Sequence, residues 1–346
     1  MTTLDQICLN IVDCEHKTAP IQDIGIPSIR TTDIKGGVID FRGANKVSEE
    51  TYKAWIQRLE PQPQDLILAR EAPVGEVGII PKGQRACLGQ RTVLIRPNLD
   101  KVYPHYLLYL MLSREIQHEM QIRAAGSTVE HLNMSDIREL NLPELPPLEV
   151  QHQIGDTLAN LDRKISNLRQ QNETLERTAQ TLFKHWFVDF EFPNEDGKPY
   201  KSSGGEMVRS ELGEIPAGWR VGKLGDFCNI KHGYAFSGEF ITTEETNQIL
   251  LTPGNFRIGG GFNSSKYKYY SDYDYDEEYI LTPGDLIVTM TDLSKEGDTL
   301  GYPAFVPKYS KNIFLHNQRL GKVVDSRIDL FFLFFCCVGA NIVLIF

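Results

Sequence analysis

The chain has 346 residues, 41% of them hydrophobic and 24% charged, which fits two or three soluble domains. Its formal net charge of −10 excludes a simple polyanion binder with a basic surface, so any nucleic-acid contact must come from a few placed Lys and Arg side chains. Six cysteines without a CxxC pair argue against a zinc site or a disulfide framework and fit a reducing cytoplasm, and MTTLDQICLNIVDCEHK at the N-terminus lacks the basic and apolar regions of a signal peptide.

The first segment reads as strand-rich. QDLILAR (64–70), EVGIIP (76–81) and RTVLIRP (91–97) are short, β-branched runs bounded by Pro or Gly. Pro104 then opens a helical run over 105–123. NLPELPP (141–147) breaks the chain and places Pro147 as the first residue of the next helix. That helix carries a seam of Ile154, Leu158, Leu161, Ile165, Leu168, Asn172, Leu175, Ala179, Leu182 and Trp186, spaced alternately by four and three. Such spacing is a coiled-coil seam, and at about 1.5 Å per residue it makes a rod of roughly 50 Å. Asn172 falls at an a position, where a lone Asn fixes register and partner number; a solvated Asn at a frayed seam is the other reading. Gly155 costs about 1 kcal/mol relative to Ala and suggests a bend. NEDGKPYKSSGGE (194–206) reads as a linker or long surface loop.

The segment beyond the linker repeats the first. PQDLILARE (63–71) aligns with PGDLIVTMT (283–291), setting Asp65 against Asp285. IIPKGQRACLGQRTVLI (79–95) aligns with FVPKYSKNIFLHNQRLGKVV (305–324), and SIRTTDIKGG (28–37) with LLTPGNFRIGG (250–260). Three matches in one order indicate an internal duplication. The repeat runs into DLFFLFF (329–335), the place of PHYLLYL (104–110), and no second long helix follows. Residues 330–346 read as the start of a core helix and not as a membrane span. The second module is therefore expected to be the less stable half, with 329–346 exposed, swapped or badly packed. Two similar modules held apart by a rod suit a long regular ligand, with DNA the leading candidate. The rod would span about 15 base pairs at roughly 3.4 Å each.

The segments 142–190 (LPELPPLEVQHQIGDTLANLDRKISNLRQQNETLERTAQTLFKHWFVDF) and 212–228 (LGEIPAGWRVGKLGDFC) resemble the specificity subunit of type I restriction-modification systems. VDCEHKTAP (12–20) and GSTVEHLN (126–133) resemble the opening and closing segments of that family's first recognition domain. The resemblance implies an α+β fold of two similar strand-rich target recognition domains separated by a long coiled-coil helix. Here the second domain would be incomplete and the second helix absent. The expected divisions are 1–146 for the first domain, 147–192 for the spacer helix, 193–207 for a linker and 208–346 for the second domain. The implied function is non-catalytic DNA recognition of a bipartite target. S-adenosylmethionine would be held by partner methyltransferase subunits, and ATP with Mg by a restriction subunit. The implied partners are double-stranded DNA, those subunits and a second copy through the spacer helix, with no membrane. The alternative is a coiled-coil scaffold remnant with little sequence-specific binding.

No GxxxxGK[ST] loop and no NPPY-like tetrapeptide occurs. His16 near Asp13 and Cys14 fits no standard metal spacing, and Ser127–Thr128 near His131 lacks a third group to orient a nucleophile. For DNA contact the candidates are Gln90 and Arg91 and their counterparts Gln318 and Arg319. Arg pairs with guanine O6/N7 and Gln with adenine N6/N7. A dipeptide shared by both modules suits a structural or phosphate-binding role better than specificity. The segments that differ are better specificity candidates: Arg30, Thr31, Thr32, Asp33 and Lys35 against Thr252, Asn255 and Arg257, and Arg70 and Glu71 against Thr289, Thr291 and Asp292. Lys82 and Lys308 are phosphate candidates. Each can equally be a solvated loop side chain. KYKYY (266–270) reads as a β-edge with exposed Tyr, or else as a stacking platform, and DYDYDEE (272–278) as a solvated face.

Overall fold

The computed structural model describes residues 2–125, 130–291, 300–308 and 311–338. Asp292, Ser127 and Thr128 lie outside the described residues, as do 339–346. The chain divides into two units, Met1–Asn172 and Glu173–Phe346. Both mix strands and helices, giving the expected α+β fold with strand-rich domains and one long helix.

The main strands of the first unit are β1 (Cys8–Asp13), β2 (Ile26–Ile29), β3 (Leu66–Ala69), β4 (Val77–Ile79), β5 (Cys87–Leu88) and β6 (Thr92–Pro97). An antiparallel sheet has the order β1-β6-β3-β4, and β2 pairs in parallel with β5. All four residues of β3 are fully buried. Leu66 and Leu68 enter one core with Val77, Val93, Leu107 and Met111, and Ile67 enters another with Ile29, Ile80 and Leu94. A strand covered on both faces reads as an unbroken apolar run, which is why LILA shows no alternation. Each fully buried Leu or Ile here contributes about 1.5–3 kcal/mol.

The second unit repeats this plan with β7 (Asn229–His232), β8 (Gln248–Leu251), β9 (Leu286–Thr289), β10 (Pro303–Phe305), β11 (Ile313–His316) and β12 (Leu320–Val324). Its antiparallel sheet has the order β7-β12-β9-β10, and β8 runs parallel to β11. The registers agree with the sequence alignment: Ser28 and Ile29 face Cys87 and Leu88, and Leu250 and Leu251 face Leu315 and His316. The duplication is therefore one of topology as well as sequence. The run 266–270 behaves differently from the expected edge. Tyr269–Tyr270 form an interior strand between Ile241–Thr242 and β8, and Tyr270 is buried.

After β6 the helical run expected over 105–123 is two helices, α1 (Pro104–Met111) and α2 (Arg114–Ala124). Ser113 separates them, its Oγ accepting from the Ile116 amide at 3.4 Å as an N-cap. After β12 comes α4 (Leu330–Val338), whose Leu333 and Cys337 are buried against Phe305. Over 330–338 the tail is thus packed through one i, i+4 face, contrary to the expected poor packing, while Phe331 on another face is 59% exposed.

The long helix α3 (Leu148–Phe183) ends in a π-turn over Lys184–Val188. Its first turns are clamped to α1. Gln151 is buried, accepts from the Tyr103 amide at 2.9 Å and donates to Pro146 O at 2.8 Å. The Tyr103 hydroxyl donates to Asp156 at 2.6 Å and that of Tyr109 to Asp162 at 2.7 Å. Burial, with Asp156 adding to it, pushes the Tyr103 phenol up to about 12, so it stays a donor at neutral pH. Gly155 is a site of close approach: a Cβ there would lie 2.8 Å from Tyr103 Cδ1 and from the Tyr106 amide. The segment 194–206 is a turn-rich, largely exposed loop held by local contacts. Asn194 Oδ1 accepts from the Asp196 and Lys198 amides, and Phe192 stacks on Tyr200 and Trp219 at 4.6 and 5.3 Å.

Gly155→Ala sets two effects against each other. Helix propensity favours Ala by about 1 kcal/mol, whereas overpacking costs about 1–3 kcal/mol. The clash involves backbone, so a net loss is expected in urea unfolding. A gain in the midpoint would disprove the close approach of α3 to α1.

Candidate nucleic-acid interface

The loops that follow β2 and β8 are built alike. Residues Thr31–Asp33 and Pro253–Asn255 each form one 3-10 turn. In the first, the Asp33 carboxylate accepts from the Arg30 amide, Nε and Nη2 at 2.9, 3.1 and 2.9 Å. In the second, Asn255 Oδ1 accepts from the Thr252 amide at 2.9 Å. Arg30 is thus held by its own turn, with 43% of its side chain exposed. Thr31 is buried and its hydroxyl donates to Ala72 O, and Asn255 is fully buried with Nδ2 donating to Asn263 O and Lys266 O. Both side chains, named among the DNA candidates, are buried with their polar groups satisfied inside the domain, an arrangement that fits a structural role. Thr32, Lys35 and Arg257 are exposed.

The loops after β3 and before β6 meet in a cleft of about 240 Å³ lined by His16, Arg70, Glu71, Gln90, Arg91 and His131. Arg70 reaches Asp13 at 2.6 Å and Arg91 reaches Glu71 at 3.0 Å. His16 Nε2 lies 3.3 Å from Asp13, and His131 Nε2 lies 3.2 Å from Asn133 Oδ1. Arg70 and Arg91 are also tied by the backbone, the Arg70 amide donating to Arg91 O at 3.0 Å. In the second unit the Met290 amide donates to Arg319 O at the same distance. Met290 therefore stands in the place of Arg70, Arg319 in that of Arg91, and Thr291 in that of Glu71. Gln90, Arg91, Gln318 and Arg319 are all exposed. Beneath the second pair His316 is buried where the first unit has Leu88; burial pushes its pKa down, and its Nε2 contacts Leu320 O at 2.9 Å. Lys82 and Lys308 are exposed, and neither has an ion-pair partner among the described residues.

On α3 the expected seam is uncovered. Ile154, Leu161, Ile165, Leu168, Leu175 and Leu182 are 40–66% exposed. Leu158, Ala179 and Trp186 are half-buried, and Asn172 is exposed.

Sequence reasoning brought Arg70, Glu71, Gln90 and Arg91 forward separately, and the structure joins them. It set aside His16 and His131 as metal or nucleophile candidates and so missed them as cleft walls. Their sequence distance from Arg70 hid the grouping. Among the described residues no helix is long and apolar enough to cross a membrane.

Comparison with known proteins places this geometry. Residues 17–177 match the model of the type I restriction modification DNA specificity domain. The match covers slightly less than half of the chain. The specificity subunit of type I restriction enzyme MjaIX from Methanocaldococcus jannaschii is 34% identical over 194 residues, covering 56% of this chain and 42% of the relative. The specificity subunit of type I restriction enzyme HindI from Haemophilus influenzae is 34% identical over 127 residues, covering 36% of this chain and 27% of the relative. The matches thus span less than half the length of these relatives. The crystal structure of a type I restriction-modification S subunit from M. genitalium shares the fold, with a TM-score of 0.55 over 97% of this chain and 75% of that one, at 14% identity.

Asn255→Ala removes the acceptor of the Thr252 amide and the donor to two carbonyls. A lost buried partner costs about 1–3 kcal/mol, so urea unfolding of the second unit should shift by that order while the first unit is unchanged. No shift would mean that water replaces the amide and that Asn255 is not a structural group.

Proposed function

We propose that this chain is a non-catalytic DNA-recognition subunit of a type I restriction-modification complex, reading a bipartite double-stranded target with one half-site per domain. The observation that carries this reading is a repeated frame with changed contents. The Arg70–Arg91 and Met290–Arg319 backbone ties occur at equivalent strand ends, but the side chains around them differ. Two copies of one scaffold with different loops are what two different half-sites require, because phosphate contacts position a protein and base contacts specify. The match of residues 17–177 to the type I restriction modification DNA specificity domain supports it.

In this reading chemistry lies elsewhere. Methyltransferase subunits would bind S-adenosylmethionine, and a restriction subunit would bind ATP and Mg. The uncovered seam of α3 supplies a docking surface for a helix, either from a partner subunit or from a second copy of this chain. A scaffold without sequence-specific binding is the competing outcome.

Selection from a pool of randomised duplexes separates the two: a recognition subunit enriches a consensus, a scaffold does not. Lys82→Gln should weaken every duplex alike and reduce the slope of log K against log salt by about 0.9 if one phosphate contact is lost. A loss confined to one sequence would move Lys82 to the base-reading class. Leu161→Asp with Leu168→Asp should abolish self-association in sedimentation velocity. A wild-type chain that stays monomeric at high micromolar concentration would refute pairing between copies.

A further inference from the structure

Five residues other than glycine have positive φ among the described residues, and one of them, Arg91, lines the cleft of the first unit. Arg91 has φ +67°, in the left-handed region that an L side chain avoids. Strain of this kind persists where the surroundings over-determine it, and it gathers at ligand sites. Here the strained residue is the one whose side chain projects, 56% exposed, beside Glu71, which is 24% exposed. The second unit has no counterpart to this pair, since Thr291 replaces Glu71 and Arg319 is not among the residues with positive φ.

The charges of the cleft balance. Arg70 is neutralised by Asp13 and Arg91 by Glu71. A phosphate would meet two carboxylates there, so the site is a poor anion cradle. What it offers is a donor and an acceptor side by side, with Arg91 Nε and Glu71 Oε2 3.0 Å apart. The major-groove edge of a G·C pair offers the complement: acceptors at guanine O6 and N7, and a donor at cytosine N4.

We propose that Arg91 and Glu71 together read one G·C base pair, Arg91 donating to the guanine edge and Glu71 accepting from cytosine N4. The Arg70–Asp13 pair positions them: Arg70 is the less exposed arginine, with 15% of its side chain accessible, and its amide fixes the Arg91 carbonyl. Gln90 lines the same cleft. This assignment rests on the DNA-recognition reading and deepens it to one base pair in the first half-site. The second unit, with Met290 and Thr291 at the equivalent places, makes no such demand.

The test is duplex selection and sequencing with the full chain as wild type, Arg91→Gly and Glu71→Gln. Glycine adopts φ +67° without strain, so Arg91→Gly keeps the turn and should not lower the melting temperature. Both variants should lose about tenfold in discrimination at one G·C position and leave the rest of the consensus intact. An unchanged consensus in both variants overturns the proposal. So does a uniform loss over all sequences with a flatter salt dependence, which would mark a phosphate contact. A fall in melting temperature with the consensus preserved would make the pair structural and also overturn it. If the wild type itself enriches no consensus, the DNA reading fails and this assignment with it.

Discussion

The two domains depend on a carboxylate at the start of a central strand, buried in the first and half-buried in the second. Asp65 is 3% exposed; it accepts from the Gln62 amide at 2.8 Å and from Arg96 Nε and Nη2 at 2.9 and 2.7 Å. Asp285 does the same for the second domain, accepting from the Thr282 amide at 2.7 Å and pairing with Lys322 at 2.7 Å. In each case the cation comes from the neighbouring strand, β6 or β12. A buried pair such as Asp65–Arg96 contributes little net stability against an apolar replacement, yet removing one partner costs about 3–5 kcal/mol. Its effect here is on register. It locks the turn to the strand pair and so fixes where β3 and β9 end.

Those strand ends are where the domains differ. A side chain after β3 or β9 inherits its position from the carboxylate at the other end, five residues back. The frame therefore delivers residue 70 and residue 290 to the same place whatever they are. Arg70 and Glu71 make a charged cleft in one domain; Met290 and Thr291 cannot in the other. A fold that holds backbone constant and lets loop ends vary is suited to reading different sequences, because specificity resides in a few base-edge contacts. An overall charge of −10 is compatible with this, since the contacts need only a few exposed cations such as Lys35 and Lys82.

Much of the architecture was legible because it rests on periodicity and repetition. The four–three seam of α3 and the aligned Asp65 and Asp285 come directly from spacing. What escaped was long-range. Gly155 looks like a weak point in a helix until Tyr103 and Tyr106 are seen against it. Asn255 looks like a loop side chain until it is found at no measurable exposure inside its turn. The composition of 194–206 gave a surface loop but not the stacking of Phe192 on Tyr200 and Trp219. Ser113 was a readable cap signal inside the run 105–123, hidden by the apolar pattern on either side. The cleft was the least legible feature, since His16, Arg70, Arg91 and His131 come from four separate loops.

The central claim is that the turns at 89–91 and 317–319 face DNA. Photo-crosslinking tests it most directly, with a photoreactive amino acid placed in turn at Gln90, Gln318 and Leu99. Leu99 is exposed but lies beyond Pro97, the far end of β6, itself about 20 Å along the strand from Arg91. On the selected duplex, probes at 90 and 318 should crosslink to bases and the probe at 99 should not. Crosslinking at 99 with none at 90 and 318 would contradict the account.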